Sequence, residues 1–201
     1  HFLMVGDWGT ERPLPYQSQV AAAMQAYVAK WKISTDALLM LGDNFYGQMP
    51  DGASSSRWQS QFEQMYPQSV FDCPAYAVLG NHDYQYAPLS KVDTELDYGK
   101  GGSSRWTMPA RYFRFTAPKE KPLITFLALD SNMPDEKSQP ILSDPSYYTP
   151  SDQQRLEELE WLASEFQKTL TTPFLVVMGH HPLYSNGVHG DNDTLIRDWN
   201  P

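Results

Sequence analysis

The sequence predicts an α/β fold, because short apolar runs alternate with segments of helical periodicity. Four runs have the length of buried strands with turn signals behind them: Phe2–Val5, Ala37–Leu41, Ala75–Leu79 and Phe174–Met178. A polar motif follows each run directly: Asp7-Trp8-Gly9, Gly42-Asp43-Asn44-Phe45-Tyr46, Gly80-Asn81-His82-Asp83 and Gly179-His180-His181. Because open α/β sheets build their sites at the carboxyl ends of strands, we expect these polar groups to form one site.

Three helices are predicted from apolar residues that recur near a 3.6-residue period. Gln17 to Trp31 is expected to bury its apolar residues, which are Val20, Met24, Tyr27, Val28 and Trp31. Ser56 to Tyr66 is a shorter helix with a core face of Trp58, Phe62 and Met65. Ser151 resembles an N-cap, and the helix after it is expected to bury Leu156, Leu159, Leu162, Ala163 and Phe166.

The middle of the chain is predicted to be a long connection followed by a hairpin. Apolar residues follow neither a helical nor a strand period from Tyr84 to Pro109, so this stretch is expected to be a functional or mobile loop. Two apolar segments, Tyr112–Phe115 and Leu123–Leu129, flank a proline-rich turn and predict an antiparallel hairpin.

Composition narrows the class of protein. A length of 201 residues with 41% hydrophobic content fits a single folded domain. The net charge of -9 argues against a nucleic-acid partner, and no apolar stretch approaches the ~20 residues that span a bilayer. A single cysteine, Cys73, excludes an internal disulfide. His1 opens almost directly into a strand, from which we expect that any signal peptide is absent from this sequence.

The polar motifs carry the side chains of a metal site. Asp7, Asp43 and Asn81 follow three separate strands, where an unpaired buried carboxylate would be unfavourable unless a cation compensates it. The alternative is that each aspartate caps the helix that follows it. Tyr46 lies three residues after Asp43, so its phenol can reach the same metal. His180 is either a further ligand or a buried structural histidine.

The motifs together resemble a known family. Four blocks look like four of the five signature blocks of the purple acid phosphatases, in the same order: Asp7-x-Gly9, Gly42-Asp43-x-x-Tyr46, Gly80-Asn81-His82-Asp83 and Val177-x-x-His180. These enzymes are a branch of the calcineurin-like metallophosphoesterases. The small, mammalian-type, tartrate-resistant forms are the most similar, because Leu41–Tyr46 and Arg105–Tyr112 also look like theirs.

This resemblance implies a fold and a cofactor. The fold would be a four-layer α/β/β/α sandwich with two mixed sheets, carrying a dinuclear metal centre. Asp7 and Tyr46 would bind Fe(III), Asp43 would bridge, and Asn81 and His180 would bind a divalent Fe, Zn or Mn ion. Gly9 supports the trivalent ion, because relatives with two divalent ions usually carry a histidine ligand at its place. The implied activity is that of a secreted or vacuolar acid phosphatase acting on small phosphate esters or phosphoproteins.

Two histidines are candidates for acting on the substrate. In the implied mechanism, hydroxide bound to the metals attacks the phosphate, and the leaving oxygen needs a proton. His82 lies in the Asn-His-Asp block, where Asp83 could orient its ring. His189 lies nine residues beyond His180, where similar enzymes place a substrate-facing histidine, although it could equally be an exposed loop residue.

One family block is absent. The fifth block, a Gly-His-x-His pair that gives one imidazole to each metal, does not occur in the sequence. We therefore expect residues 1–201 to form a single metallophosphoesterase domain without its C-terminal part, with a C-terminal segment carrying the His-x-His ligands. Two alternatives stay open. One is a metal-dependent phosphodiesterase, pyrophosphatase or nucleotidase on this scaffold, and the other is a non-catalytic domain with an incomplete site.

Overall fold

A computed structural model of the chain describes residues 1–10, 15–85, 90–101, 104–132 and 150–199. Seven strands are formed: β1 (Phe2–Val5), β2 (Ala37–Leu41), β3 (Ala75–Val78), β4 (Trp106–Thr107), β5 (Phe113–Ala117), β6 (Ile124–Ala128) and β7 (Phe174–Met178). The longer helices are α1 (Pro15–Trp31), α2 (Ser90–Lys100), α3 (Asp152–Gln167) and α4 (Asp193–Trp199). Shorter helical turns lie at Gly52–Ser54, Trp58–Glu63 and Asn81–Tyr84. None of the helices in these ranges is long and apolar enough to cross a membrane.

The strands form two sheets, which confirms the predicted α/β architecture. The first sheet has the order β1-β2-β3-β4, and its strands are parallel throughout the described residues. The second has the order β5-β6-β7 and is mixed, because β5 and β6 are antiparallel whereas β6 and β7 are parallel. The predicted hairpin is therefore confirmed as β5 and β6.

The two sheets pack face to face through aromatic side chains. Phe2 of β1 meets Phe126 of β6 edge to face, with ring centroids 5.3 Å apart, and Tyr76 of β3 stacks on Phe115 of β5 at 3.6 Å. Alternation along β6 turns Leu127 to the opposite face of the sheet. There it packs with Leu162 of α3, which places this helix outside the second sheet.

The four apolar runs differ in burial. Leu38, Met40 and Val78 of β2 and β3 are completely buried, as predicted. The prediction of a buried strand is wrong for β7, where Phe174 is 62% exposed and Val177 is 46% exposed, and for β1, where Met4 is 64% exposed and no residue is buried. Among the described residues β1 and β7 are each the last strand of a sheet, so each has a neighbouring strand on one side only and its side chains are less covered.

All three predicted helices exist, and the one within Ser56–Tyr66 buries Trp58 and Phe62 as expected. The buried faces of the other two differ from the expected ones. Helix α1 buries Gln17, Ala21 and Val28, whereas Val20, Tyr27 and Trp31 are exposed. Helix α3 begins with the predicted cap, in which the Ser151 hydroxyl accepts the N–H of Gln154 at 3.2 Å. It buries Leu162 with Glu158 and Glu165, whereas Leu156 and Phe166 are exposed. Apolar content alone therefore did not identify the packed faces.

The segment expected to be a long loop contains a helix and a strand. Helix α2 and strand β4 both fall between Tyr84 and Pro109, while residues 86–89 and 102–103 lie outside the described part of the chain. The prediction failed because α2 buries polar side chains. Its fully covered residues include Lys91 and Glu95 beside Val92, so no hydrophobic period marks its inner face.

Candidate metal centre

The loops after β1 and β2 hold their aspartates in a strained backbone conformation. Asp7 and Asp43 have φ values of 55° and 50°, in the left-handed region that residues other than glycine rarely adopt. Such conformations are unfavourable by ~1–3 kcal/mol each and persist where surrounding contacts impose them. Here they turn both carboxylates toward the same point above the sheet, where the potential donor atoms of Asp7, Asp43 and His180 all lie within 4.8 Å of one another.

Tyr46 joins this cluster through its phenol. The hydroxyl oxygen lies 3.0 Å from a carboxylate oxygen of Asp7 and 2.9 Å from Oδ2 of Asp43, so its single proton can be donated to either carboxylate. Burial and the charges of the two aspartates raise the pKa of the Tyr46 phenol. The phenol therefore stays protonated beside carboxylates alone, and only a cation among these oxygens would favour the phenolate.

His180 and Asn81 lie on the other side of Asp43. The Nε2 atom of His180 is 3.3 Å from Oδ1 of Asn81 and 3.5 Å from Oδ1 of Asp43. Its Nδ1 is 2.9 Å from the carbonyl oxygen of Leu41, which can only accept a hydrogen bond. Nδ1 can therefore donate to this carbonyl, and Nε2 is the ring nitrogen that faces the cluster and could bind a metal ion there.

The donor set fits hard cations. Carboxylate, phenol and amide oxygens with one imidazole nitrogen converge from four loops, and such ligands suit iron and divalent ions of similar hardness. Gly9 has no room for a ligand of its own, because a Cβ there would lie 1.7 Å from the carbonyl oxygen of Asn44. Gly42 is needed for a similar reason, since its Cβ would lie 2.8 Å from the His180 ring.

The remaining histidines lie around the cluster. The His82 ring packs against Tyr46 with centroids 4.2 Å apart, and its Nδ1 is 2.8 Å from Oε1 of Gln85. The expectation that Asp83 orients this ring is therefore wrong, because Gln85 contacts Nδ1 and Asp83 accepts backbone N–H groups instead. His189 lies exposed in the loop after β7.

His181 is a satisfied structural histidine in this arrangement. Its Nδ1 lies 2.9 Å from the hydroxyl of Ser131, and its ring meets that of His180 edge to face. Burial, together with the neighbouring His180, lowers the pKa of His181 to about 4. The side chain is therefore neutral over most of the physiological range and is engaged away from the two aspartates.

Strands of the two sheets thus bring a phosphoesterase-like set of ligands to one point, and comparison with known proteins agrees with it. The model of the calcineurin-like phosphoesterase family matches residues 1–200. The chain belongs to this family. The match covers the residues of both sheets.

Individual relatives bear the names of acid phosphatases. Tartrate-resistant acid phosphatase type 5 of Mus musculus is 28% identical over 205 residues, a match that covers 100% of this chain and 61% of the mouse protein. The protein of that name from Homo sapiens is 27% identical with the same coverage. Purple acid phosphatase 7 of Arabidopsis thaliana is 29% identical over 97% of this chain and 57% of its own length. The resemblance seen in the motifs is confirmed, and the chain spans about three fifths of these relatives.

A buried polar network supports this calcineurin-like phosphoesterase site from below. Asp83 accepts the backbone N–H groups of Gly80 at 2.8 Å, Phe45 at 3.0 Å and Asn44 at 3.2 Å. The side-chain amide of Asn44 donates to Glu95 at 2.9 Å and to the carbonyl of Val78 at 2.8 Å. The roles of Asn44 and Glu95 were not predicted from the sequence, because Asn44 shows no pattern of its own and Glu95 lies in the stretch predicted to be a loop.

Proposed function

We propose that the protein hydrolyses phosphate monoesters at a dinuclear centre of Fe(III) and a divalent Fe, Zn or Mn ion. The observation that carries this proposal is the position of the Tyr46 phenol, within hydrogen-bonding distance of both Asp7 and Asp43. A phenolate is a hard anionic ligand and favours a trivalent ion. The steric exclusion of any side chain at Gly9 also supports this assignment, because a histidine ligand could not replace the phenol there.

The geometry around Asp43 supports the proposed division of ligands. Its Oδ2 faces the phenol of Tyr46, and its Oδ1 faces Nε2 of His180. Two pairs of candidate ligands therefore flank one carboxylate, Asp7 with Tyr46 and Asn81 with His180. This is the arrangement expected if Asp43 bridges two ions, the first pair holding the trivalent ion and the second pair the divalent ion.

The bound ions would supply the hydroxide nucleophile and polarise the phosphate. The protein's own contribution is to position the substrate and to provide a proton for the departing oxygen. His82 is suited to this role, because Gln85 fixes its Nδ1 and its ring lies against Tyr46 at the edge of the cluster. His189 lies on an exposed loop after β7, and we propose that it contacts the phosphate from the opposite side.

An absorption spectrum combined with a phosphatase assay tests the proposal. Protein loaded with iron should be coloured by charge transfer from phenolate to Fe(III), and should release p-nitrophenol from p-nitrophenyl phosphate. Tyr46→Phe should remove the colour, whereas Tyr27→Phe, at an exposed position on α1, should retain it. A colourless, iron-free protein that is fully active would refute the Fe(III) assignment and favour an ordinary pair of divalent ions.

We further propose that the working molecule includes a C-terminal segment with a His-x-His pair. Asp7, Asp43, Tyr46, Asn81 and His180 give three protein ligands to each ion if Asp43 is shared, one fewer than the resemblance implies. Strand β7 supports the proposal, because its exposed edge and faces lie directly before His180. An added strand there would cover apolar surface and bring its side chains to the same end of the sheet.

Titrating this chain with Zn²⁺ and with Fe(III), with and without the corresponding segment, tests this second step. The chain alone should bind the trivalent ion and bind the divalent ion weakly, and the segment should strengthen divalent binding and turnover. Intact mass of a fully active two-metal protein at 22.9 kDa would refute the need for the segment. Metal binding without hydrolysis of p-nitrophenyl phosphate would support the alternatives: turnover of bis-p-nitrophenyl phosphate would indicate a phosphodiesterase, and no turnover of either would indicate a non-catalytic domain.

The proposed partners and location follow the acid phosphatase assignment. Small phosphate esters or phosphoproteins are the expected substrates, and no role in binding nucleic acid or membrane is proposed. A secreted or vacuolar location suits an enzyme that uses metal-activated water at acidic pH, and fractionation of the source cells would test it.

A further inference from the structure

A lysine ammonium is buried beneath the candidate metal centre. Lys91 lies in the first turn of α2 and is 1% exposed. Its Nζ donates to the carbonyl oxygen of Phe45 at 2.8 Å and to that of His82. Phe45 directly precedes Tyr46, and His82 directly follows Asn81. One cation therefore joins the two loops that carry candidate ligands and a candidate acid.

The surroundings of this ammonium explain how it can be buried. Asp83 and Glu95 are both buried and attract its charge. A buried ion pair is seldom more stabilising than apolar side chains of the same volume, so stability alone gives little reason for a lysine at this position. What an apolar residue could not do is donate hydrogen bonds to two carbonyls from different loops.

The network extends from Lys91 to the third ligand loop. Glu95 accepts a hydrogen bond from the side-chain amide of Asn44, and Asn44 in turn accepts one from the indole N–H of Trp8 at 3.1 Å. Trp8 directly follows Asp7. Helix α2 is thereby connected through buried hydrogen bonds to the loops after β1, β2 and β3, which together carry Asp7, Asp43, Tyr46 and Asn81.

We propose that Lys91 is a positioning residue of the centre. By fixing the carbonyls of Phe45 and His82, it holds the Tyr46 phenol and the His82 ring in their mutual arrangement, with centroids 4.2 Å apart. These two hydrogen bonds go to backbone carbonyls, so Lys91 would act on the ligands through the backbone of the two loops. The consequence for metal binding rests on the proposed function, whereas the consequence for loop rigidity does not.

Hydrogen exchange in the metal-free protein tests the rigidity directly. The informative amides are those of Tyr46, which donates to the Gly9 carbonyl at 2.6 Å, and of His82, which donates to Asp43 at 2.8 Å. Lys91→Met keeps an unbranched chain as far as the ε position and removes the ammonium donors, so both amides should exchange ~10-fold faster or more. Lys91→Gln, whose amide retains two donors one bond nearer the backbone, should restore part of the protection. Lys100→Met, at an exposed position on the same helix, should change neither amide.

Metal affinity provides the second measurement. Lys91→Met should weaken binding of Fe(III) by roughly 10- to 100-fold, the range for groups that orient metal ligands, and shift the charge-transfer band. The Fe(III) affinity of Lys91→Gln should lie between that of the wild type and that of Lys91→Met. Unchanged exchange at Tyr46 and His82, or equal acceleration throughout the fold, would overturn the inference. If the wild-type protein binds no iron while Lys91→Met still loosens only the two loops, the proposed function fails and the positioning role stands.

Discussion

The two sheets contribute unequally to the candidate metal centre. The first-sheet half, comprising Asp7, Asp43, Tyr46 and Asn81, follows strands of which β2 and β3 are buried, and the network of Asn44, Asp83 and Lys91 lies beneath it. The second-sheet half, comprising His180, His181 and His189, follows β7, whose side chains are largely exposed. Within the described residues the first-sheet half is held by this buried network, although Asp7 itself follows the end strand β1, whereas the second-sheet half follows the end strand β7.

This difference indicates how the proposed centre would fill with metal. Asp7, Asp43 and Tyr46 already lie in contact, so the ion they share would bind with little rearrangement. Asn81 and His180 meet across the two sheets, and the His180 side depends on an edge strand. We therefore expect the two ions to bind with unequal affinity, and the following variants test that expectation.

The largest effect is expected from removing the shared carboxylate. Asp43→Asn should weaken the binding of both ions by well over ~100-fold, more than the change of a group that only orients ligands. Asp83→Asn should instead lower the stability of the metal-free protein by ~1–3 kcal/mol, because Asp83 accepts buried N–H groups. Metal per chain and urea unfolding measure the two effects. Equal metal loss in both variants would mean that Asp83, too, binds metal.

His82 and His189 allow the two halves of the candidate metal centre to be tested separately by enzyme activity. His82→Ala in the first-sheet half should lower kcat by roughly 10² to 10⁴, because it would lose general acid help. His189→Ala in the second-sheet half should lower activity as well, because it would lose the proposed contact with the phosphate. Metal content should stay at the wild-type level in both variants. If the His189 variant lost one ion, the loop histidine would be a ligand and the second-sheet half would be more complete than proposed.

The pH dependence of stability tests the second-sheet half, through the titration of His181. The pKa of His181 is 6.5 in its unperturbed state and about 4 in the fold. Between these pH values the unfolded chain binds a proton that the folded chain does not, so stability falls as pH drops through this window, by up to about 3 kcal/mol. His181→Asn, which can still bond with Ser131, should remove this contribution.

The check is the difference in unfolding free energy between wild type and His181→Asn, measured without metal at pH 7 and pH 4.5. Taking the difference removes the contributions of the buried carboxyls, whose pKa values shift the other way. A difference that does not change with pH would mean that His181 is solvated, and that the second-sheet half is open around it.

The smallest effect is expected on stability, when one valine from each sheet is replaced by alanine. Val78→Ala in β3 removes buried methyl groups and should be destabilising by about 2 kcal/mol. Val177→Ala in β7 should change stability by less than ~0.5 kcal/mol in this chain, because its side chain is 46% exposed. When the proposed C-terminal segment is added, the destabilisation caused by Val177→Ala should increase toward that caused by Val78→Ala. Equal effects in the chain alone would show that β7 is already covered in solution, for example by a second copy.

The sequence by itself determined the strands and most of the candidate site. Four apolar runs became strands with nearly the predicted bounds, and the residues that follow them, among them Asp43 and Tyr46, came together as expected. The reason is that short apolar runs with turn residues behind them are local signals, and that strand ends in one sheet necessarily lie near one another.

Only the tertiary structure decided which surfaces are buried. Helix α2 reads as a polar stretch, yet Lys91 and Glu95 lie in the interior because partners from other loops satisfy them. Gln85, rather than Asp83, contacts His82. Strand β7 is apolar yet exposed, because its neighbours and not its composition set its burial. Hydrogen bonds between distant residues leave no periodic trace in a sequence, since each member alone resembles a solvated polar side chain.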